Sequence, residues 1–553
     1  MSKAVIWLVF ILGLWLVVIR GFGTQWALVP GDLGDGRFNN YVLEHFFRWV
    51  KGLDPEYWNA PFFYPYPNVI AFSDNLLGSA PFYALLRWTG LSRETAFQSW
   101  YVFGFFLNYA AAGYVLSRYK FNPFAVGIGA AFFTFGLPLL AQETHLQLFY
   151  RFGIPLACFC LLEFLDRPKL TRLAALVFWI VWQFYLSIYL GFFLIMLLVV
   201  LIPLMLFFER DIRVMEQINL WPGKLKQAWF QTNFQERVIS LVVMSGAGVG
   251  LVALLLPYYQ VSKNYGFTRD WVTVSAMLPT LKSFFIADSS LLWKTISANV
   301  LGVSMRNEHQ LFPGIVVSVL LLVGLALRFK SKNSRLAWLH LGAVLLLVIF
   351  TLNIKGYSFY WLLWKIPGIN SIRAVTRIQL VLMWPIALFC AWVTDEIMLR
   401  TQKKPLIVYY SIGFLVAGLL LIESALFTNI NYPKADGLLR LTQLKQRIPS
   451  NLPPNSILSV AYDPNKPDFV AEIDVMLVSQ EMGLPTLNGY SGNFPQGYNL
   501  PTTCEQIPNQ VKKYFKAVNM PKEARLKYYL ATMKRIVPLG FQDCNPSWWR
   551  NMP

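Results

Sequence analysis

The sequence predicts a mainly α-helical, polytopic transmembrane bundle of about eleven spans, followed by a small α/β domain outside the membrane. Three observations predict it. Of 553 residues, 56% are hydrophobic and only 14% charged, against about a quarter charged in soluble domains. The apolar residues come in long runs, several reaching the roughly 20 residues that cross a bilayer core of about 30 Å. After residue 427 the pattern changes to a polar stretch with Pro/Asn-rich turns and short strand-like runs such as 456–461. Residues 1–427 are therefore expected to form the transmembrane domain and 428–553 an extracytoplasmic one.

The first run, 4–20, has no small-x-small cleavage site after it; the chain continues Arg20-Gly21-Phe22-Gly23-Thr24. It reads as an uncleaved span with its N-terminus in the cytoplasm. Further spans are expected near 96–117, 122–140, 150–166, 171–187, 188–208, 238–257, 311–328, 336–353, 377–394 and 405–427, with 76–90 as a short re-entrant or interfacial helix. Arg118 and Lys120, then Arg167, Lys169 and Arg172, then Arg328, Lys330, Lys332 and Arg335, then Arg400, Lys403 and Lys404 all fall on one side, as does Lys3. Short loops rich in Lys and Arg stay in the cytoplasm. An odd number of spans then places the C-terminal segment outside. The net charge of +19 suits basic loops against anionic headgroups; no nucleic-acid motif accompanies it. No internal repeat is evident, which weakens a transporter built on repeated halves.

Cys158, Cys160 and Cys390 lie in apolar runs and read as small buried residues. Cys504 and Cys544 lie in the polar C-terminal segment, where an oxidising compartment would let them pair as a disulfide.

The candidate chemistry gathers in the outer loops. The first, 21–95, opens Pro30-Gly31-Asp32-Leu33-Gly34-Asp35-Gly36-Arg37-Phe38. Glycines around Asp32 and Asp35 let the backbone turn tightly and a ligand approach closely. A carboxylate held there can take a proton from an attacking hydroxyl; equally, an aspartate beside glycine closes turns and caps helices. Phe38, Tyr41, Val42, Phe46 and Trp49 then form an apolar stripe opposite Asn40, Glu44, Arg48 and Lys51, which predicts a helix lying in the membrane interface. The aromatic and proline residues from Asn59 to Asn68 make a rigid surface for sugar rings or isoprene units, or an interfacial aromatic belt. Asp74 is either a third site acid or the N-cap of the helix that follows it. A second loop carries His145 and Gln147, with His145 either lining the site or structural.

Cations stand where the positive-inside rule would not put them. The loop 354–376 holds Lys355, Lys365 and Arg373, with Arg377 at its end and no acid. On a helix Arg373 and Arg377 would share one face, and two guanidinium groups aimed together suit a phosphate or pyrophosphate. Arg306 lies just before another span, in a loop that also holds Lys263, Arg269, Lys282 and Lys294. Snorkelling onto headgroups is the alternative for each single residue.

An aspartate-bearing loop after the first span, about eleven spans, a basic late loop and a C-terminal outer domain together resemble the GT-C superfamily of polytopic glycosyltransferases. Asp35-Gly36-Arg37-Phe38 looks like the short acidic motif of that family's first loop, with Gly36 standing where several members have a second acid. Ser73-Asp74-Asn75-Leu76-Leu77-Gly78 and Leu487-Asn488-Gly489-Tyr490 also look like phrases of bacterial membrane proteins of this type. The resemblance implies an enzyme of the bacterial inner membrane that moves a monosaccharide from a polyprenyl-phosphate carrier to a glycan, lipid or protein acceptor in the periplasm, with inversion. It makes Asp35 the leading general base and Asp32 its alternative. Arg373 and Arg377 become phosphate binders, with Lys355 and Arg306 as second choices and His145, Gln147 and Asp74 around the substrate. No cofactor is expected; Asp32, Asp35, Asp74 and His145 could assemble a divalent metal site, but no ligand spacing demands one. A flippase for a lipid-linked anionic glycan, a non-enzymatic scaffold for an envelope complex and an oligosaccharide ligase are the competing readings.

Overall fold

A computed structural model of the chain describes residues 3–208, 220–327, 333–461, 467–496, 498–517, 521–541 and 544. Arg328, Lys330 and Lys332 of the expected cytoplasmic set lie outside the described residues.

Each of the eleven segments expected to span lies on a helix. Among the described residues, eight helical stretches are long and apolar enough to cross a membrane, from Ala4–Phe22 to Leu406–Ala425. Leu170–Leu186 and Ile315–Leu327 are apolar but shorter, and Arg93–Arg118 carries Glu94, Gln98 and Asn108 among its apolar residues. The chain is an integral membrane protein on these grounds. The helices sort by exposure: Val375–Thr401 is buried along its apolar window, packed against Pro123–Phe135, Ile315–Leu327, Ser334–Thr351 and Ile188–Phe208. Phe234–Tyr265, by contrast, leaves Val238, Ile239, Val242, Val249 and Val252 exposed. Each would cost about 25 cal/mol per Å² against water, and none against acyl chains.

The first long loop is not an interfacial appendage. Its helix, Asp35–Val50, is buried on both faces between helices Ala80–Trp88, Arg93–Arg118 and Asp468–Met482. The polar stripe expected to face solvent is met by protein instead. Glu44 accepts from Tyr83 Oη at 2.6 Å and from Arg87 Nε at 2.8 Å; Arg48 pairs with Asp54, and only Lys51 at the end stays exposed. Amphipathicity at this spacing reports two environments, and here the second is a ring of buried partners rather than water.

Asp74 caps a helix, though not the one that follows it. Its carboxylate accepts from Ser187 Oγ at 2.9 Å and from the Ile188 amide at 2.8 Å, satisfying the start of helix Ile188–Phe208 where Ser187 breaks the run in extended conformation. The loop thereby reaches across to the membrane helices.

The segment after helix Leu406–Ala425 returns at once to the first loop. Strand β1 (Leu28–Pro30) pairs antiparallel with β2 (Asn431–Pro433), Val29 opposite Tyr432. Beyond it, helix Lys434–Gln446 precedes the parallel pair β3 (Ile457–Val460) and β4 (Ile536–Leu539), with Ile457 opposite Ile536. Helices Asp468–Met482, Gln506–Ala517 and Lys522–Met533 complete it. A disulfide joins Cys504 to Cys544, 40 residues apart in sequence. The stretch 486–490 lies along residues 61–64: the Phe63 amide donates to Asn488 O and the Tyr64 amide to Thr486 O, at 3.0 and 2.9 Å.

Gly489 is where this contact is tightest, since a Cβ there would meet the Phe63 ring at 2.4 Å. Gly489→Ala is expected to cost about 1–3 kcal/mol, read as a lower unfolding temperature of the detergent-solubilised protein. Gly418→Ala, inside helix Leu406–Ala425 where nothing lies within 4 Å, should not lower that temperature.

Candidate active site

The turn that presents Asp35 is built by Asp32. Asp32 Oδ1 accepts from the amides of Gly34 and Gly36 at 3.2 and 2.9 Å, an aspartate closing the first turn of helix Asp35–Val50. Gly31 adopts φ +93°, and a Cβ on either Gly31 or Gly36 would stand 2.9 Å from the other's Cα. This is why position 36 carries no second acid: the backbone of Gly31 occupies the space. Burial first, and the charge of Asp35, push the Asp32 carboxyl up against the pull of the two amides. Of the two readings left open for these aspartates, the turn belongs to Asp32.

Asp35 begins the helix, where the macrodipole favours a negative charge. Its Oδ1 accepts from the Tyr490 hydroxyl at 2.6 Å, and its Oδ2 lies 3.4 Å from His145 Nε2. The same His145 nitrogen is 3.8 Å from Glu308 Oε1. Glu308 in turn receives a two-pronged contact from Arg377, Nη2 to Oε1 at 2.7 Å and Nε to Oε2 at 3.2 Å. His145 therefore stands between a carboxylate of the first loop and a carboxylate–guanidinium pair from two later loops. Side-chain exposure grades the set: Glu308 6%, Arg377 8%, His145 17% and Asp35 30%. Asp35 is the member most open to an incoming molecule.

The electrostatics follow from this stacking. Burial works to raise the Glu308 carboxyl, but Arg377, His145 and Arg373 outweigh it and hold the group down to about 2. His145 goes the opposite way for a histidine beside acids: burial first, then Arg377 and Arg373, outweigh Glu308 and Asp35 and bring it to about 4. At neutral pH it is uncharged. Its Nδ1 lies 2.9 Å from Thr144 Oγ1, while Nε2 faces the two carboxylates.

Arg373 is the free cation of the group. Its amide donates to Tyr189 Oη at 3.4 Å, while its guanidinium makes no hydrogen bond or ion pair among the described residues. Its charge is felt at His145, Glu308 and Arg269. Arg269 is held through its guanidinium by Gly492 O at 3.3 Å and by Asn493 Oδ1. Arg373 and Arg377 are not on one helical face as expected. Residues 373–374 are irregular, a short 3-10 turn covers Val375–Arg377, and the helix begins at Ile378. Arg377 faces Glu308 rather than open space.

The remaining expected site residues lie elsewhere. Arg306 pairs with Asp288 at 2.6 Å and also donates to Ser297, because a carboxylate in its own loop reaches it first. Lys355 sits exposed at φ +53° in the turn closed by Ile354 and Tyr357 and contacts none of the cluster. Gln147 Oε1 accepts from Asn39 Nδ2 at 2.8 Å, pinning its loop to helix Asp35–Val50. Asp74, held by its cap, feels the Arg377 charge from a distance. Among the described residues no group of three or more His, Cys, Asp or Glu side chains could hold a metal ion. Glu308, Tyr490 and Arg269 complete the cluster without having been singled out as site residues. Each is an ordinary polar residue in a loop, and only its neighbours in space distinguish it.

Two open grooves run along the aromatic and proline stretch of the first loop. One of about 400 Å³ is lined by Trp49, Tyr57, Trp58 and Asn68, and one of about 320 Å³ by Asp54, Asn59, Tyr64 and Tyr66. Neither is lined by Asp35 or Arg373.

No family model and no curated protein matches this sequence. Among solved structures, the chain is similar to the oligosaccharyltransferase AglB from the archaeon Archaeoglobus fulgidus in complex with an inhibitory peptide and a dolichol-phosphate. The TM-score is 0.45 at 14% identity, over 96% of this chain and 68% of that one. It is also similar to an Archaeoglobus fulgidus oligosaccharyltransferase in complex with Zn and sulfate, at TM-score 0.47 and 14% identity, over 95% and 66% of the two chains. The chain thus spans about two thirds of their length. Likeness at this level assigns no activity to this chain.

The depressed histidine gives the fold a pH dependence. His145 titrates near 4 in the folded chain against an ordinary 6.5, so between these values the unfolded chain binds more protons. The stability carried by neutral His145 is whole above about pH 6.5 and falls as pH drops toward 4. Thermal unfolding in detergent should lose stability from pH 7 to pH 4.5, and His145→Gln should make that loss shallower.

Proposed function

We propose that the chain is a membrane glycosyltransferase that moves a monosaccharide from a polyprenyl-phosphate carrier to an acceptor hydroxyl at the outer face, with inversion. In this reading residues 1–427 form the membrane part and 428–553 the domain that covers its outer side, in the periplasm of a bacterial inner membrane. Asp35 is the general base. The acceptor oxygen attacks the anomeric carbon as its proton passes to Asp35. The bond from that carbon to the phosphate oxygen breaks, and the carrier phosphate leaves with the electron pair.

One observation carries the proposal: a partly exposed carboxylate from the first loop and the Glu308–Arg377 pair from later loops meet around a single neutral histidine. Charge grows on the departing phosphate oxygen, and fixed cations aimed at such an oxygen are commonly the largest contribution to rate. Arg373 supplies that cation, because its guanidinium has no hydrogen-bond or ion-pair partner among the described residues. Arg377 holds Glu308 and backs the site from behind. Neutral His145, with its Nε2 beside Asp35, keeps the carboxylate from pairing directly with a cation, which would leave it a poor base.

A flippase would move the same kind of lipid without breaking a bond. Its charged groups would be needed at mid-membrane depth, whereas this cluster is built from loop residues and helix ends. Asp35→Asn is expected to reduce the product glycan at least 100-fold, measured by mass spectrometry of envelope glycans and glycoproteins from cells with and without the protein. Arg373→Ala should weaken binding of a polyprenyl-phosphate sugar about tenfold, with Lys355→Ala as the unaffected comparison. Full product from Asp35→Asn at normal protein level would remove Asp35 as the base.

A further inference from the structure

Tyr490 comes to Asp35 from 455 residues away in sequence, donating its hydroxyl proton to Oδ1 at 2.6 Å. The aim of that hydroxyl is set on several sides. The ring stands edge-on to Phe38, centroids 5.8 Å apart, with Phe469 and Phe494 at 6.1 and 6.3 Å. The Tyr490 amide donates to Met476 Sδ at 3.2 Å. Gly34 leaves the approach clear, since a Cβ there would stand 3.2 Å from the hydroxyl. On either side the segment is fastened to the first loop: Gly489 lies against Phe63, and Asn493 Nδ2 donates to Phe72 O at 2.8 Å. Asp35 Oδ2 is left with the longer contact to His145.

We infer that Tyr490 is a positioning residue for Asp35, its hydroxyl holding Oδ1 so that Oδ2 is the oxygen offered to the acceptor hydroxyl. The inference rests on the sugar-transfer reading above. A carboxylate free to rotate presents either oxygen in many orientations; one fixed donor removes that freedom before the substrate arrives. The tyrosine keeps its proton throughout. Burial first, then the charge of Asp35 and of Asp32, push its hydroxyl well above the ordinary value, with Arg373 acting weakly the other way. It therefore donates to Asp35 and takes no proton itself. On this account the C-terminal segment is part of the reaction site and not only a cover for it.

The test uses the full-length protein in lipid nanodiscs. Infrared difference spectra, wild type minus Asp35→Asn, isolate the carboxylate stretches of Asp35. Tyr490→Phe should move those bands, and 3,5-difluorotyrosine at position 490, a stronger donor that keeps the ring, should move them in the opposite direction. In cells, Tyr490→Phe should lower the product glycan about tenfold, the loss that follows from one hydrogen bond to a charged group. Asn493→Ala loosens the same segment while leaving the Tyr490 hydroxyl in place, and should move the carboxylate bands less than Tyr490→Phe does. Bands unmoved by Tyr490→Phe, bands moved equally by Asn493→Ala, or wild-type product from Tyr490→Phe would each overturn the inference. Bands that move as stated while Asp35→Asn still makes product would instead overturn the sugar-transfer reading, leaving the contact itself established.

Discussion

The buried guanidinium of Arg37 finds its only charged hydrogen-bond partner among the described residues in Asp474 of the C-terminal segment. Arg37 lies on the first turn of the helix that Asp35 begins. Breaking a pair of this kind commonly costs about 3–5 kcal/mol, because the remaining charge is left without water. The contact therefore ties the geometry around Asp35 to helix Asp468–Met482, some 437 residues further along the chain. The β1–β2 pairing and the approach of Gly489 to Phe63 reinforce it on either side. In the motif Asp35-Gly36-Arg37-Phe38, then, the arginine clamps the structure, the glycine makes room for the turn, and only the aspartate faces outward.

The second organising feature is the order of charges from buried to open. Glu308 and Arg377 neutralise one another at the back, His145 separates them from Asp35, and Arg373 stands apart with a guanidinium unpaired among the described residues. Had Arg377 reached Asp35 directly, the carboxylate would be a weak base and the cation unavailable. A neutral imidazole, 3.4 Å from Asp35 and 3.8 Å from Glu308, separates them without adding charge. Arg269, fastened by the 492–493 stretch, adds positive charge near Arg373. The segment that supplies Tyr490 to the acid thus also steadies the basic side.

Much of this was legible beforehand, and the gaps have a common cause. Long apolar runs marked the membrane helices, since a bilayer asks only for length and apolarity. The glycines around Asp32 and Asp35 announced a tight turn, but whether each carboxylate closed the turn or faced outward depended on which amides came near, and those were Gly34 and Gly36. The cations of the late loops were visible as a group. Which of them had a local acid was not: Arg306 is matched by Asp288 and Arg377 by Glu308, while Arg373 pairs with none among the described residues. The amphipathic stripe over Asp35–Val50 suits a membrane interface, yet its polar face is met by Arg87, Tyr83 and Asp54.

What the amino-acid sequence determined by itself is the class of environment: helices for a bilayer, loops that carry acids early and bases late, and two cysteines in a polar tail able to pair. Such properties are sums over neighbouring residues and survive without a fold. The tertiary structure alone decided the partnerships, Tyr490 with Asp35, Arg37 with Asp474, Glu308 with Arg377 and Asp74 with the helix at Ile188. Each joins residues far apart along the chain, through hydrogen bonds effective only at about 3 Å, a distance that residue spacing does not encode.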